Sequence, residues 1–150
     1  MNAPARFPPV DAGFATRVRD SFGRQKAMAL IGATLAAVEP GRVEITLPYR
    51  EDLTQQKGYI HGGILGMIAD SACGYAAFSL MPADCSLVTV EYKMNILAPA
   101  LRSLVARGEV VKAGRTLTVA RAEVYAEDRT HVATMQQTLM MLAGRPDHPE

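Results

Sequence analysis

Apolar positions follow a helical rhythm first, then a strand rhythm, then one long run, then strand rhythms again. Phe14, Val18, Phe22 and Met28 recur at helical spacing, so residues 13–30 read as one amphipathic helix. From Thr34 the period drops to two. Thr34–Glu39 and Arg42–Pro48 form a hairpin about Pro40-Gly41, with Val43, Ile45 and Leu47 alternating against Glu44 and Thr46. Residues 49–60 are polar and read as a loop. Gly62 to about Leu80 reads as a mostly apolar helix that stops near Pro82. Four strands follow. Ser86–Leu97 alternates through Val88, Val90 and Tyr92, and Leu101–Lys112 is rich in Val. After a turn at Ala113-Gly114, Arg115–Ala126 alternates through Leu117, Val119 and Val124. A turn at Glu127-Asp128-Arg129 leads to His131–Leu142. One long helix between a hairpin and four antiparallel strands is an α+β pattern, and its simplest packing lays the sheet around the helix.

The 150 residues suit one domain. The expected division is a flexible arm over 1–12, a domain over 13–143 and a frayed tail over 144–150. Sixteen Lys and Arg against fifteen Asp and Glu leave a net charge of +1, with no basic field for a nucleic-acid backbone, so no such partner is expected. Cys73 and Cys85 are too few for a disulfide scaffold. The N-terminal stretch lacks the apolar core of a signal peptide, which makes a cytoplasmic location the expectation. Residues 60–81 are long enough to cross a bilayer. Asp70 near their middle would cost about 2.5–3.5 kcal/mol there. Gly62, Gly63, Gly66 and Gly74 dilute the hydrophobicity further, so the segment reads as a helix in a soluble core, with no membrane partner.

That helix carries the candidate chemistry. Gly63, Gly66, Asp70, Cys73, Gly74 and Ala77 fall at helical spacings and form a stripe of small residues broken by one carboxylate. The plain reading of Asp70 is a carboxylate satisfied by a neighbouring hydroxyl or amide. What precedes it points further. A helix starting near Gly62 leaves its first amides without intrahelical acceptors, and its dipole favours developing negative charge there. Glycine lets a substrate carbonyl reach those amides, which is the equipment of an oxyanion hole. Asp70 would supply a general base or a nucleophile.

Pro40-Gly41-Arg42-Val43 opens a strand, Gly58-x-x-His61-Gly62-Gly63 opens the helix, Asp70 follows His61 by nine residues, and Leu97-Ala98-Pro99-Ala100 closes a strand. In these parts residues 28–142 resemble the hotdog-fold acyl-CoA thioesterases of the phenylacetate-pathway, PaaI-like type. The resemblance implies a sheet wrapped around one long helix. It implies an acyl-CoA substrate, no cofactor, and a homodimer with shared sites, often doubled into a tetramer. It also implies roles. Gly62 would polarise the thioester carbonyl through its amide, and Asp70 would be the catalytic carboxylate. Gln55, with Gln56 adjacent, falls where a carboxamide lies near the thioester. Thr89 falls where a hydroxyl helps place water. His61 would hold the loop before the helix, next to Gly63 at the substrate.

The remaining candidates are weaker. Cys73 as a nucleophile would need a base that no motif places. His131 and His148 lack metal-ligand spacing, so no metal is expected. Lys112, Arg115 and Arg129 sit near turns where coenzyme A phosphates could meet them, and Arg115 is the one taken as substrate-binding. The eight methionines suit a pliable acyl pocket or plain core filler. The alternative to an enzyme is an acyl-CoA-binding or sensing module on the same fold, against which Gly62 and Asp70 together argue. A hydratase is a third reading, and it lacks the second histidine and acid pair it would need.

Overall fold

The computed structural model describes residues 6–148. Among the described residues the chain forms three α-helices, six strands and one 3-10 turn (Glu51–Leu53): α1 (Phe14–Arg24), α2 (Lys26–Ile31), β1 (Thr34–Glu39), β2 (Arg42–Leu47), α3 (Gly62–Phe78), β3 (Ser86–Ile96), β4 (Leu104–Ala113), β5 (Leu117–Ala126) and β6 (His131–Leu142). The strands form one antiparallel sheet in the order β1-β2-β4-β5-β6-β3. The sheet packs around α3, the α+β arrangement the sequence pattern implies. No helix among the described residues is long and apolar enough to cross a membrane.

The hairpin falls where the alternation places it. Gly41 takes φ +74°, a left-handed conformation that glycine adopts without strain, and closes the turn. Val43, Ile45 and Leu47 are fully buried.

Four expectations need correction. The helix over 13–30 is two helices, because Gln25 is extended at φ −74°, ψ 93°. Met28 follows Phe22 by six residues, which in a continuous helix would rotate it by roughly 240° away from the Phe14–Val18–Phe22 stripe. The break at Gln25 turns Met28 and Ile31 back into the core. The small-residue stripe is also divided. Cys73 and Ala77 are buried against the core, whereas Gly63, Asp70 and Gly74 lie on the partly open side of α3. Finally, the alternation through Val88, Val90 and Tyr92 does not mark a buried face. β3 is an edge strand, and the three are exposed at 43%, 54% and 47%. Residues 97–103 form not a strand start but a crossover from that edge back to β4. There Ala100 accepts a hydrogen bond from the Ile60 amide (2.8 Å), tying the crossover to the loop before α3.

The ends of the described chain are docked onto this body. Phe7 packs against the core near Gly41 and Leu80. Asp147 accepts from the Ser21 hydroxyl, and Arg24 Nη2 donates to its main-chain oxygen (2.5 Å) and to its carboxylate (3.2 Å).

α3 lies unusually close to the sheet at one point. A Cβ on Gly108 of β4 would stand 2.2 Å from the Ala72 carbonyl oxygen and 2.3 Å from its carbon. That neighbour is helix backbone and cannot yield without moving α3. Gly108→Ala is therefore expected to cost about 3 kcal/mol or more, at the upper end of overpacking, and to lower Tm by roughly 10 °C. Gly74→Ala is the control. Its Cβ would meet only side chains, at 3.9 Å and 4.0 Å, so thermal unfolding should stay within about 2 °C of the parent or rise with the better helix former.

Candidate active site

Asp70 stands on the open side of α3, facing the inner surface of β3 and β6. Its Oδ1 accepts from the Thr89 hydroxyl (2.8 Å) and from Gln137 Nε2, and Gln137 Nε2 also donates to Thr89 Oγ1 (2.8 Å). A bulge places Thr89 there. The β3–β6 register shifts between Thr89 and Glu91, and the extra residue resets the strand's phase. Thr89 before the bulge and Tyr92, Met94 and Ile96 after it all reach α3. The Tyr92 hydroxyl lies 3.1 Å from where a Cβ on Gly66 would be, and Ile96 Cδ1 lies 2.9 Å from the same point on Gly62.

Gln137 is the site residue that the motifs missed. A signal for it exists. Ala133, Met135, Gln137 and Leu139 form the buried row of β6, and a carboxamide in an otherwise apolar inward row needs a partner. Asp70 and Thr89 also line a cleft of about 460 Å³ between α1, α3 and β3. Its far wall is polar. Ser21 Oγ and the Tyr75 hydroxyl lie 3.1 Å apart, and Ser71 Oγ donates to Gln25 Oε1 (3.3 Å). Burial pushes the Tyr75 phenol above its ordinary range, so it faces the cleft as a neutral hydroxyl.

The start of α3 faces a second, separate groove of about 660 Å³, shared by Gln55, Tyr59, Gly62, Ile96 and Pro99. His61 is the N-cap, and its Nδ1 accepts from the Gly63 amide (2.8 Å). Nδ1 therefore carries a lone pair, and the ring proton sits on Nε2. This bond occupies the Gly63 amide. The Gly62 amide has no acceptor among the described residues, so it is the free donor at the positive end of the helix dipole. Gln55 is folded into the preceding turn. Its side-chain oxygen accepts from the Lys57 amide, its main-chain oxygen from Gly58 (2.9 Å), and its amide donates to Tyr59 (2.8 Å). Its Nε2 has no partner among the described residues. Gln56 is exposed and lines neither space.

The structure thus gathers Asp70 with Thr89, and Gly62 with Gln55, but does not bring the two pairs together. Eight residues of helix separate Gly62 from Asp70, about 12 Å along the axis. Arg115 sits in the exposed β4–β5 turn and lines neither cavity. Cys73 is fully buried, and burial first, then the Asp70 and Glu123 charges, push its thiol far up, which leaves it a protonated core residue. His131 Nε2 lies 2.6 Å from Glu123 Oε2 with Tyr125 stacked on its ring, on β5 and β6. Among the described residues no three His, Cys, Asp or Glu side chains gather as a metal site would require.

Comparison with known proteins bears on this arrangement. Residues 57–133, which run from the loop before α3 into β6, match the family described as the thioesterase superfamily. A thioesterase family protein from Silicibacter pomeroyi superposes with a TM-score of 0.85 at 53% identity, over 88% of this chain and 100% of that one. The PaaI protein of the E. coli phenylacetic acid degradation operon superposes with a TM-score of 0.82 at 18% identity, over 89% and 96% of the two chains, a likeness of fold. A 1,4-dihydroxy-2-naphthoyl-CoA hydrolase of Listeria monocytogenes is 30% identical over 90 residues, 59% of this chain and 73% of that protein. With the matched segment supplying α3, its capped start, Asp70 and Thr89, the chain belongs to the thioesterase superfamily and is a hotdog-fold thioester hydrolase.

Proposed function

We propose that the protein hydrolyses an acyl-CoA thioester to the free acid and coenzyme A, in sites that two protomers share. The carrying observation is Asp70, which stands at the wall of a cleft with Oδ1 held by two donors. An acyl-CoA-binding module would gain nothing from a fixed carboxylate there, so that alternative is the weaker reading. The Gly62 amide polarises the thioester carbonyl, and Gln55 Nε2 stands beside it. Asp70 takes a proton from water, whose oxygen attacks the acyl carbon, or attacks that carbon itself. In either route the C–S bond breaks and the coenzyme A thiolate leaves and is protonated; in the second, water then hydrolyses the mixed anhydride, which releases the acid and restores the Asp70 carboxylate. Arg115 and Arg129 in exposed turns, with Lys112 at the exposed end of β4, would meet the phosphates of coenzyme A only at those places.

The shared site follows from reach. A carbonyl must lie about 3 Å from the amide, with the carboxylate or its water equally near, and one α3 holds the two groups about 12 Å apart. A second α3 running antiparallel brings Asp70 of one protomer to Gly62 of the other, twice over. β3 supports this assembly. It is an edge strand with one row of unpaired backbone groups and an exposed run that includes Val88, Val90 and Ile96, which a second β3 would cover. Two such dimers would form the tetramer.

Asp70→Asn is expected to lower kcat by at least about a hundredfold, the low end for a positioned acid–base group. Its amide oxygen can still accept from Thr89 and Gln137, so thermal unfolding should be nearly unchanged. A variant with more than half of parental turnover sinks the assignment.

Subunit mixing tests the sharing. Gly62→Pro removes the amide donor, and His61 at ψ 138° already has the conformation that precedes proline. When this variant and Asp70→Asn are unfolded, mixed equally and refolded, about half the dimers are mixed and each holds one intact site. Activity should return to roughly a quarter of the parent. Proven exchange with no recovery means that both groups act within one chain.

The polar wall of the Asp70 cleft bears on the acyl group. A long saturated chain would desolvate Ser21, Ser71, Tyr75 and Gln25 without bonding to them. In an acyl-CoA panel, kcat/KM for palmitoyl-CoA should fall at least about tenfold below that for the best short or aryl substrate. Preference for palmitoyl-CoA would remove the cleft from the acyl site.

A further inference from the structure

We infer that Gln137, from β6, is the positioning residue of the Asp70 carboxylate, and that it leaves Oδ2 as the oxygen that acts on substrate. This rests on the proposed role of Asp70. The hydrogens settle the arrangement. Gln137 Nε2 carries two, one directed to Asp70 Oδ1 and one to Thr89 Oγ1. The Thr89 hydroxyl has one hydrogen, and with its oxygen already accepting from Gln137 that hydrogen goes to Asp70 Oδ1. The reverse orientation of the carboxamide would set its oxygen against the carboxylate, so the amine end must face Asp70. Gln137 thus holds the carboxylate directly and also fixes the direction in which Thr89 donates. Both donors converge on Oδ1. Oδ2 has no donor among the described residues, and Asp70 lines the cleft, so Oδ2 is the oxygen free for a water or an acyl carbon.

A second observation separates this role from packing. Gln137 is fully buried, and its Oε1 has no hydrogen-bond partner among the described residues. Its neighbours in the inward row, Met135 and Leu139, are apolar. A residue kept for packing would not leave a carbonyl oxygen unpaired in that row, since burial without a partner destabilises. The position carries a polar cost in stability, and what it supplies is the pair of hydrogens on Nε2. Residues that offend a local rule of packing are concentrated where function requires them.

Gln137→Met keeps the length and apolar volume and removes the donors. It is expected to lower kcat by about tenfold to a hundredfold, with KM for the same acyl-CoA within twofold and Tm equal to the parent or higher. In an Asp70→Asn background the same change should cost nothing further, because its effect passes through the carboxylate. A crystal structure of Gln137→Met should show the Asp70 carboxylate turned away from Thr89. A kcat within twofold of the parent, full additivity with Asp70→Asn, or an undisplaced Asp70 overturns the inference. If the Met variant fails to fold, the packing argument fails with it, and Gln137→Leu must show the same loss of kcat at parental Tm for the positioning role to stand. A parent that hydrolyses none of a broad acyl-CoA panel defeats the proposed function instead. The position of Asp70 in the variant crystal then still decides whether Gln137 holds it.

Discussion

Gly108 has no side chain, and the Ala72 carbonyl group occupies the space that one would take. That contact sets the depth at which α3 lies on the sheet, and the rest of the molecule depends on that depth. Ala69, Ala72 and Ala76 keep the buried side of the helix thin. With α3 pressed onto the centre of the sheet, the curve of the strands brings β6 and β3 round to its flank. Only then can a glutamine on one strand and a threonine on the next reach the same carboxylate oxygen. A helix raised by a single methyl group would lift Asp70 away from both donors. Fold stability and site geometry are thus set by one close approach of two backbones.

The two faces of α3 divide the work. The inward face is core, and the outward face is a shallow track bounded by β3 side chains, from Thr89 at Asp70 through Tyr92 at Gly66 to Ile96 at Gly62. The helix start has a free amide because His61 occupies the next one. The middle has a carboxylate because Gln137 and Thr89 receive it. About 12 Å of helix separates these two ends of the track, and the proposed shared site would join each to the opposite end on a second copy.

Much of this was legible in the sequence. The hairpin, the start of α3 at Gly62 and the β6 span follow from local period and turn chemistry, and each depends on residues close in sequence. The break at Gln25 was hidden because apolar spacing alone cannot tell a continuing helix from two whose faces must both turn inward. The exposure of Val88 and Val90 on β3 was hidden because alternation reports a face, not which neighbour covers it. That depends on the strand order, in which β3 crosses to the far edge beside β6. Asp70 and Gly62 came from a motif with fixed spacing, and Thr89 from the family resemblance. Gln137 lies outside any such motif, 67 residues from Asp70, and only the inward phase of β6 marks it. Arg115 rested on nearness to a turn, which says nothing of nearness to a cleft.

The position of β6 has a consequence for the order of events during synthesis. β3 leaves the ribosome well before the strand that pairs with it, because β4 and β5 are made in between and join the opposite end of the sheet. Until β6 emerges, β3 has both edges open and carries Val88, Val90, Tyr92 and Ile96 exposed, a state prone to mispairing with other chains. Closure by β6 removes one edge and delivers Gln137 to Asp70 in the same step. A nascent chain therefore acquires its held carboxylate only when its final strand docks, and one that stalls before residue 137 has neither a finished sheet nor an aligned acid.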